Sequence, residues 1–409
     1  MLSYFQKESL NRVKGVERKK HRAKQGIIRH LFLNGESTCN AIAQHIKLSV
    51  PSVQAGINEL INDAILVDRG QGNSSGGRRP YIYGLKKESF YILCIDIGRY
   101  HVRLSILDSS MKMLSGITTH EIKFRDDFGY LDRICEYTEN LIDTTDIEKD
   151  KLIGIGLDMP GVIDSEKGIN FSYLYDPETT LVKILEKRLN RPVFLENDAN
   201  VLALAEYWNG HARSKKNAIV LLLSWGIGLG LIIDGKLYRG SSGFAGEFSH
   251  IPAKDNGKLC WCNKQGCLET VASASALSAL AKEGVNNGNA SSIFELIDNK
   301  KKYVDPDLII DAANQGDQFA VKILSDVGFE LGKGISVLIQ ILNPEIIVLG
   351  GRMAKANQYI ITPVQHALNS YCNPLLISDL EIVTTDFRED AAILGSAILV
   401  VNGLLLSNE

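Results

Sequence analysis

The sequence predicts an α/β protein that consists of an N-terminal winged helix-turn-helix and a two-lobed body with a structural metal site. Helical periodicity followed by a basic, glycine-rich loop occupies residues 1–88. A strand-strand-strand-helix pattern begins near Tyr91 and again near Ala218, which indicates two similar lobes. A compact cysteine cluster that follows a histidine indicates the metal site.

The composition is that of a soluble globular protein. The chain has 409 residues, of which 45% are hydrophobic and 23% charged, so two or three domains are expected. It contains no run of about 18 apolar residues and no apolar N-terminal segment, so we expect neither a membrane span nor a secretory signal. An odd number of cysteines, 7, favours a reducing compartment, and a cytoplasmic location is expected.

The charge is distributed unevenly along the chain. Residues 1–88 contain 15 Lys and Arg against 7 Asp and Glu, a balance of +8. The remainder carries 45 − 15 = 30 basic and 48 − 7 = 41 acidic residues, a balance of −11. A basic first segment on an acidic body predicts contact with a polyanion such as DNA, although residues 1–24 alone could be a solvated tail.

The first segment contains three predicted helices. Apolar residues recur at helical spacing over 27–32, and Asn34-Gly35 ends that helix. Ser37 or Thr38 can cap a second helix, and Ser49 a third. The exposed face of the third helix can contact base edges in the major groove, with Gln and Asn suited to adenine. Its candidate DNA-binding residues are Ser52, Gln54, Ala55 and Asn58.

A predicted wing follows the third helix. Strands at residues 65–67 and 81–83 enclose a Gly/Ser-rich loop that ends in Arg78 and Arg79. Two arginines at the tip of such a wing favour contact with the DNA backbone or minor groove. The alternative is a helical protein-interaction module with a loose linker. Paired helix-turn-helix units bind two half-sites of a double-stranded DNA operator, so we expect a homodimer or homotetramer.

The metal site is predicted from the stretch of residues 246–269. Cys260, Cys262 and Cys267 have C-x-C-x4-C spacing, and His250 lies ten positions upstream. One imidazole with three thiolates is a common closed set for structural zinc. Unpaired buried thiols and a redox-active cysteine pair are the alternatives. The spacing and the upstream histidine favour zinc held by these four residues.

The same stretch resembles the signature of the ROK family, which groups sugar kinases, transcriptional repressors and uncharacterised open reading frames. Its pattern reads G-E-x-x-H and then C-x-C-x4-C-x-E. The wing sequence SSGGRRP and the turn E-N-D-A-N at 196–200 are also similar to those of the family. The family usually has glycine where this chain has Asn263, but Gly266 is present to permit the turn. The resemblance covers essentially the whole chain.

The resemblance implies a body of the actin-like, ribonuclease-H-like ATPase type. We therefore expect a winged helix-turn-helix at 1–88 and a first α/β lobe at 89–205. A C-terminal helix within 386–409 would complete that first lobe. The second α/β lobe, with the zinc loop, would span 206–385.

The resemblance also implies a sugar-binding cleft. Its expected sugar-binding residues are Gly161, Asn197, Asp198, Glu247, His250 and Glu269. Zinc would hold the nearby carboxylates preorganised for a polyol. The structural alternatives are that Gly161 only forms a turn and that Asn197 and Asp198 only cap the next helix.

Two loops that bind ATP phosphates in kinase members of the family are altered here. The first reads D-I-G followed by Arg99 and Tyr100, and the second has Trp225 in place of a threonine. Bulky side chains at these positions are expected to crowd the phosphates, so ATP and Mg²⁺ are not expected cofactors.

Together these features predict a sugar-responsive transcriptional regulator, a repressor of carbohydrate uptake or catabolism genes, that is not an enzyme. Its partners would be an operator and a sugar or sugar-derivative effector. One alternative is an ATP-dependent kinase of a hexose or N-acetylhexosamine, with Asp198 as general base. Another is a protein effector that docks near the zinc loop.

Overall fold

The structure is a computed structural model that describes residues 2–5, 15–72, 79–124, 127–293, 303–387 and 390–405. The chain divides into two compact units. The first comprises Met1–Asn197 with Ala392–Glu409, and the second comprises Asp198–Ala391. The second unit therefore begins at Asp198, whereas the boundary expected from the sequence lies after residue 205.

The first unit opens with a short 3-10 helix (Leu2–Phe5) and a module of three helices and a small sheet. Its elements are α1 (Val16–Asn34), β1 (Ser37–Thr38), α2 (Cys39–His45), α3 (Val50–Asn62), β2 (Leu66–Gln71) and β3 (Tyr81–Leu85). The strands lie in the antiparallel order β1-β3-β2. Thr38 caps α2 by accepting a hydrogen bond from the Ala41 amide, as expected. Ser49 precedes α3, but its side chain makes no capping hydrogen bond within the described part of the chain.

A five-stranded sheet follows in the same unit. Its elements are β4 (Tyr91–Ile97), β5 (His101–Asp108), β6 (Thr118–Glu121), α4 (Phe128–Thr144), a 3-10 turn (Lys149–Lys151), β7 (Leu152–Met159), β8 (Ile163–Asp164), β9 (Ile169–Asn170), α5 (Leu181–Leu189) and β10 (Val193–Asn197). The sheet order is β10-β7-β4-β5-β6. Apolar side chains of α4 and α5 pack on it to form the core of the lobe.

The second unit contains a sheet of the same topology. Its elements are α6 (Asp198–Asn209), β11 (Ala218–Leu223), β12 (Ile227–Ile233), β13 (Lys236–Leu237), a 3-10 turn (Phe248–His250), α7 (Glu269–Ala272), α8 (Ala274–Asn286), α9 (Pro306–Asn314), α10 (Gln318–Leu342), β14 (Ile346–Gly350), a 3-10 turn (Arg352–Ala356), α11 (Gln358–Tyr371), α12 (Pro374–Ile377) and β15 (Glu381–Thr384). The order is β13-β12-β11-β14-β15.

The two sheets repeat one connection pattern. In each, the first three strands form an antiparallel meander, and the last two add in parallel on the other side of the first strand. This repetition confirms the duplication that the sequence predicted. Among the described residues, no helix is both long and apolar enough to cross a bilayer.

The C-terminal helix α13 (Asp390–Leu405) returns to the first sheet. Within the first unit, the Ser396 hydroxyl donates to Asp158 Oδ1 at 2.9 Å, at the carboxyl end of β7. Further along the helix, Asn402 Oδ1 accepts a hydrogen bond from Arg29 Nε on α1 at 3.1 Å. The helix thus contacts both the sheet and the N-terminal module.

Candidate functional site

Four potential metal ligands converge in the second unit. His250 Nδ1 lies 3.6 Å from Cys260 Sγ, and Cys262 Sγ lies 3.6 Å from Cys267 Sγ. All four donor atoms lie within 4.8 Å of one another. Zinc–sulfur bonds of about 2.3 Å in a tetrahedron would place two sulfurs about 3.8 Å apart. The residues predicted from the sequence are therefore brought together in an arrangement that is compatible with zinc.

The loop that carries the cysteines depends on two left-handed residues. Asn263 has φ +63° and Gly266 has φ +77°. Asparagine is one of the few side chains that adopt this conformation readily, which explains why it can replace glycine. Position 266 cannot accept asparagine in the same way, because a Cβ atom on Gly266 would lie 1.9 Å from the carbonyl oxygen of Lys254. The Cys260 amide then donates to the Lys264 carbonyl at 2.8 Å and closes the turn.

The two nitrogens of His250 face different partners. Nδ1 faces the Cys260 sulfur, whereas Nε2 lies 3.7 Å from Glu247 Oε2. A carboxylate behind a ligating histidine fixes the ring and its tautomer. Glu247 and His250, both predicted as sugar-binding residues, are therefore adjacent. The Nε2–H group can donate a hydrogen bond to Glu247 or to a ligand hydroxyl while Nδ1 binds a metal.

Glu269 is the most enclosed of the predicted sugar-binding residues, with 9% of its surface exposed. Its carboxylate accepts a hydrogen bond from the Trp261 indole. Burial raises the pKa of Glu269, while the nearby His250 and polar groups around the carboxylate, among them the Trp261 indole, oppose that rise.

Sequence reasoning missed Trp261, which lies between the first two cysteines. Its ring packs edge-on against His250, with ring centroids 5.0 Å apart and planes at 74°. Its indole N–H donates to Glu269. The signal that could have found it was its position between two candidate ligands, because a loop closed around a metal fixes where that side chain can go.

In the first unit, Gly161 and Asn197 also meet. The Asn197 side-chain amide donates to the Gly161 carbonyl at 3.1 Å. Asp198 is the first residue of α6, in the second unit, and its Oδ1 accepts from the Ala199 amide at 2.9 Å. This contact satisfies one backbone amide in the first turn of α6 and does not distinguish helix capping from sugar binding. A role in sugar binding stays a prediction for this residue.

The first altered phosphate loop is closed by an ion pair. Asp96 on β4 is paired directly opposite Arg103 on β5, and Arg103 Nε lies 2.6 Å from its Oδ2. His101 Nε2 lies 3.7 Å from the same oxygen. Burial alone would raise the pKa of Asp96, but hydrogen bonds and charge from His101 and Arg103 lower it below its usual value. The carboxylate is thus already paired with the Arg103 guanidinium.

His101 also covers the glycine of this loop. A Cβ atom on Gly98 would lie 2.5 Å from the imidazole ring. The sequence pointed to Arg99 and Tyr100 as the crowding residues, and these two contact each other, with the guanidinium 5.6 Å from the ring centroid. In the second loop, Trp225 packs against Tyr303 with ring centroids 4.8 Å apart.

The predicted DNA-binding residues divide into two groups. Ser52, Ala55 and Asn58 are exposed on α3, and Arg79 is exposed at the end of the wing. Gln54 is half-buried. Its side-chain amide donates to Asn58 Oδ1 at 3.0 Å and to the Tyr83 hydroxyl at 3.3 Å. It therefore joins α3 to strand β3. Arg78 lies outside the described residues.

Two sheets of one topology define a two-lobed α/β protein similar to the actin-like sugar kinases. The chain matches the ROK family over residues 92–402, and it belongs to that family.

Among its relatives, a glucokinase from Thermotoga maritima is 33% identical over 76% of this chain and 96% of its own length. A xylose repressor from Caldicellulosiruptor bescii is 29% identical over 89% of this chain and 91% of its own. A solved ROK family transcriptional regulator, a homologue of the E. coli MLC protein, has a TM-score of 0.80 at 25% identity. That likeness covers 94% of this chain and 98% of the regulator.

Proposed function

We propose that this protein is a sugar-responsive, DNA-binding transcriptional regulator without kinase activity. The observation that carries the proposal is the module formed by α1–α3 and β1–β3, which precedes the family match at 92–402. The alignment with the repressor reaches 89% of this chain, whereas that with the glucokinase reaches 76%. The extra length is what a DNA-binding module requires.

In this proposal the N-terminal module is a winged helix-turn-helix. Ser52, Ala55 and Asn58 of α3 would contact base edges, with Gln54 placed to support Asn58. Arg78 and Arg79 would contact the phosphate backbone or minor groove beside the site. A dimer would present two such modules to two half-sites of an operator.

The effector would be a sugar bound by Gly161, Asn197, Asp198, Glu247, His250 and Glu269. Zinc held by His250, Cys260, Cys262 and Cys267 would supply rigidity to the loop that carries three of these residues. Sugar binding would shift the equilibrium between DNA-binding and non-binding states. A differential affinity of about 100-fold corresponds to about 2.7 kcal/mol of coupling.

The second candidate is an ATP-dependent sugar kinase, which the 33% identity to a glucokinase favours. Asp198 would then be the general base. Against it stands the pairing of Asp96, the acidic residue of the first altered phosphate loop, with Arg103 and His101. Trp225 packed on Tyr303 opposes it in the second loop.

The test is thermal unfolding of the full chain with D-glucose, D-xylose, N-acetyl-D-glucosamine and their phosphates, each with and without Mg-ATP. A sugar at about 100 times its Kd should add about 2.7 kcal/mol of stability. We expect a shift with one sugar and no further shift with Mg-ATP. The same sugar should change binding to duplexes that the protein selects from a random-sequence pool.

Two outcomes would contradict the proposal. Sugar-dependent ATP turnover that disappears in Asp198→Asn would establish the kinase. Selective duplex binding that no sugar alters would instead point to a protein effector.

A further inference from the structure

We propose that Trp261 is a sugar-contacting and specificity-determining residue of the second unit. Its indole N–H would hold Glu269 in its binding orientation, and its exposed ring face would pack against the C–H face of the bound sugar. The inference rests on the proposed function, because it concerns the same effector site.

The first argument is the hydrogen bonding of Glu269. An ionised carboxylate offers about four acceptor positions. The Trp261 indole N–H occupies one of them. This hydrogen bond orients the carboxylate before any ligand arrives, and the remaining positions can accept sugar hydroxyls. Removing the indole donor would free the carboxylate to turn, which costs preorganisation.

The second argument is the exposure of the indole. Trp261 is held by Glu269 at its nitrogen and by the His250 ring at its side, yet 59% of its surface is exposed. A large apolar surface of this kind, next to Glu269 and His250, is matched by the C–H face of a sugar whose hydroxyl groups point to its rim. A tryptophan fixed at two points offers that surface at little entropic cost.

A protein partner is the competing occupant. Leu259, in the same loop, is 73% exposed. A partner that docks on the loop would cover Leu259 and Trp261 together, whereas a sugar needs the indole and Glu269. The hydrogen bond from Trp261 to a buried carboxylate favours the sugar, because protein docking has no need of an oriented Glu269.

The experiment compares Trp261→Phe, Trp261→Ala and the control Leu259→Ala in the full-length, zinc-loaded protein. Affinity for D-glucose, D-xylose and N-acetyl-D-glucosamine is measured by calorimetry, with zinc content measured for each variant. Phenylalanine keeps a ring but removes the donor, so we expect a loss of about tenfold. Alanine removes both, and we expect a loss of about 100-fold or more. Leu259→Ala should bind like the wild type, and all should retain zinc.

Intrinsic fluorescence gives a second readout, because the chain has only 3 tryptophans. The sugar-induced change in emission should persist in Trp208→Phe and Trp225→Phe and disappear in Trp261→Phe. Equal affinities in the wild type and both Trp261 variants would overturn this inference alone. Zinc loss in Trp261→Phe, or an equal affinity loss in Leu259→Ala, would also overturn it. A wild type that binds none of the sugars would overturn the proposed function as well.

Discussion

At the scale of single residues, the pairing of Asp96 with Arg103 is the contact that most affects the charge of the first altered phosphate loop. Strand pairing places the two side chains directly opposite each other on β4 and β5. Cross-strand neighbours of opposite charge stabilise a sheet, and burial makes each dependent on the other. The His101 imidazole nitrogen Nε2 lies 3.7 Å from the same oxygen. The Asp96 carboxylate is thus part of the lobe's own structure.

Arg103→Met should therefore destabilise the protein by about 3 kcal/mol at pH 7, because it leaves a buried carboxylate without its main counter-charge. The pKa of Asp96 is lowered in the wild type, so its contribution is present above the ordinary carboxylate pKa and lost as pH falls through the lowered value. In the variant, burial raises the pKa of Asp96. The loss of stability of Arg103→Met relative to the wild type should become smaller as pH falls, because protonation of Asp96 removes the unpaired charge. Urea unfolding across pH measures both effects.

The matched control is Lys149→Met, which breaks the exposed ion pair between Lys149 and Asp143. Exposed pairs contribute about 0–1 kcal/mol, so this variant should change little. Equal losses in the two variants would show that Asp96 does not depend on Arg103.

At the scale of elements, the conformation of the loop that carries the candidate zinc ligands depends on its backbone. Gly266 lies against the Lys254 carbonyl and directly precedes Cys267. Asn263, three residues earlier, also has a left-handed backbone conformation. The donors could be predicted from sequence because their spacing is specific. The hydrogen bond from Trp261 to Glu269 could not, because it depends on how the closed loop directs an indole.

Gly266→Ala tests this account of the loop. A Cβ atom would clash with the Lys254 carbonyl, so we expect a loss of about 1–3 kcal/mol beyond the conformational cost, together with reduced zinc content. Gly288→Ala is the control, because Gly288 has φ +75° but no atom within 4 Å of the added Cβ. It should cost only about 1 kcal/mol and keep its zinc. Equal losses of unfolding free energy in Gly266→Ala and Gly288→Ala, measured by chemical unfolding, would contradict the predicted clash.

At the scale of the whole molecule, the sequence predicted most of the organisation. Three helices, a strand pair and a strand-strand-strand-helix pattern that occurs twice were evident because helices and strands differ in hydrophobic period. The pairing register was not evident, since it depends on which strands meet. For that reason the sequence indicated Arg99 and Tyr100 but not the contacts of His101 with Gly98 and of Arg103 with Asp96. Crowding of a phosphate by Arg99 and Tyr100 stays a prediction.

The uneven charge leads to a prediction about DNA binding by the full chain. Removal of one protein–phosphate interaction should reduce the slope of log affinity against log salt by about 0.9. Arg79→Ala should therefore weaken binding and flatten the slope by about that amount. Lys123→Ala, an exposed lysine of the first lobe, is the control and should leave the slope unchanged. Anisotropy titrations at several salt concentrations measure both, and an unchanged slope in Arg79→Ala would exclude its interaction with a phosphate.

For the proposed regulator, the ion pair at Asp96 would have a physiological consequence. A sugar-binding protein that needs nucleotide reports the supply of fuel and the energy charge of the cell together. A regulator whose loop carries its own counter-charge would respond to the sugar alone. Genes under such a regulator would follow nutrient availability even in starved cells, when the energy charge falls and prompt uptake matters most.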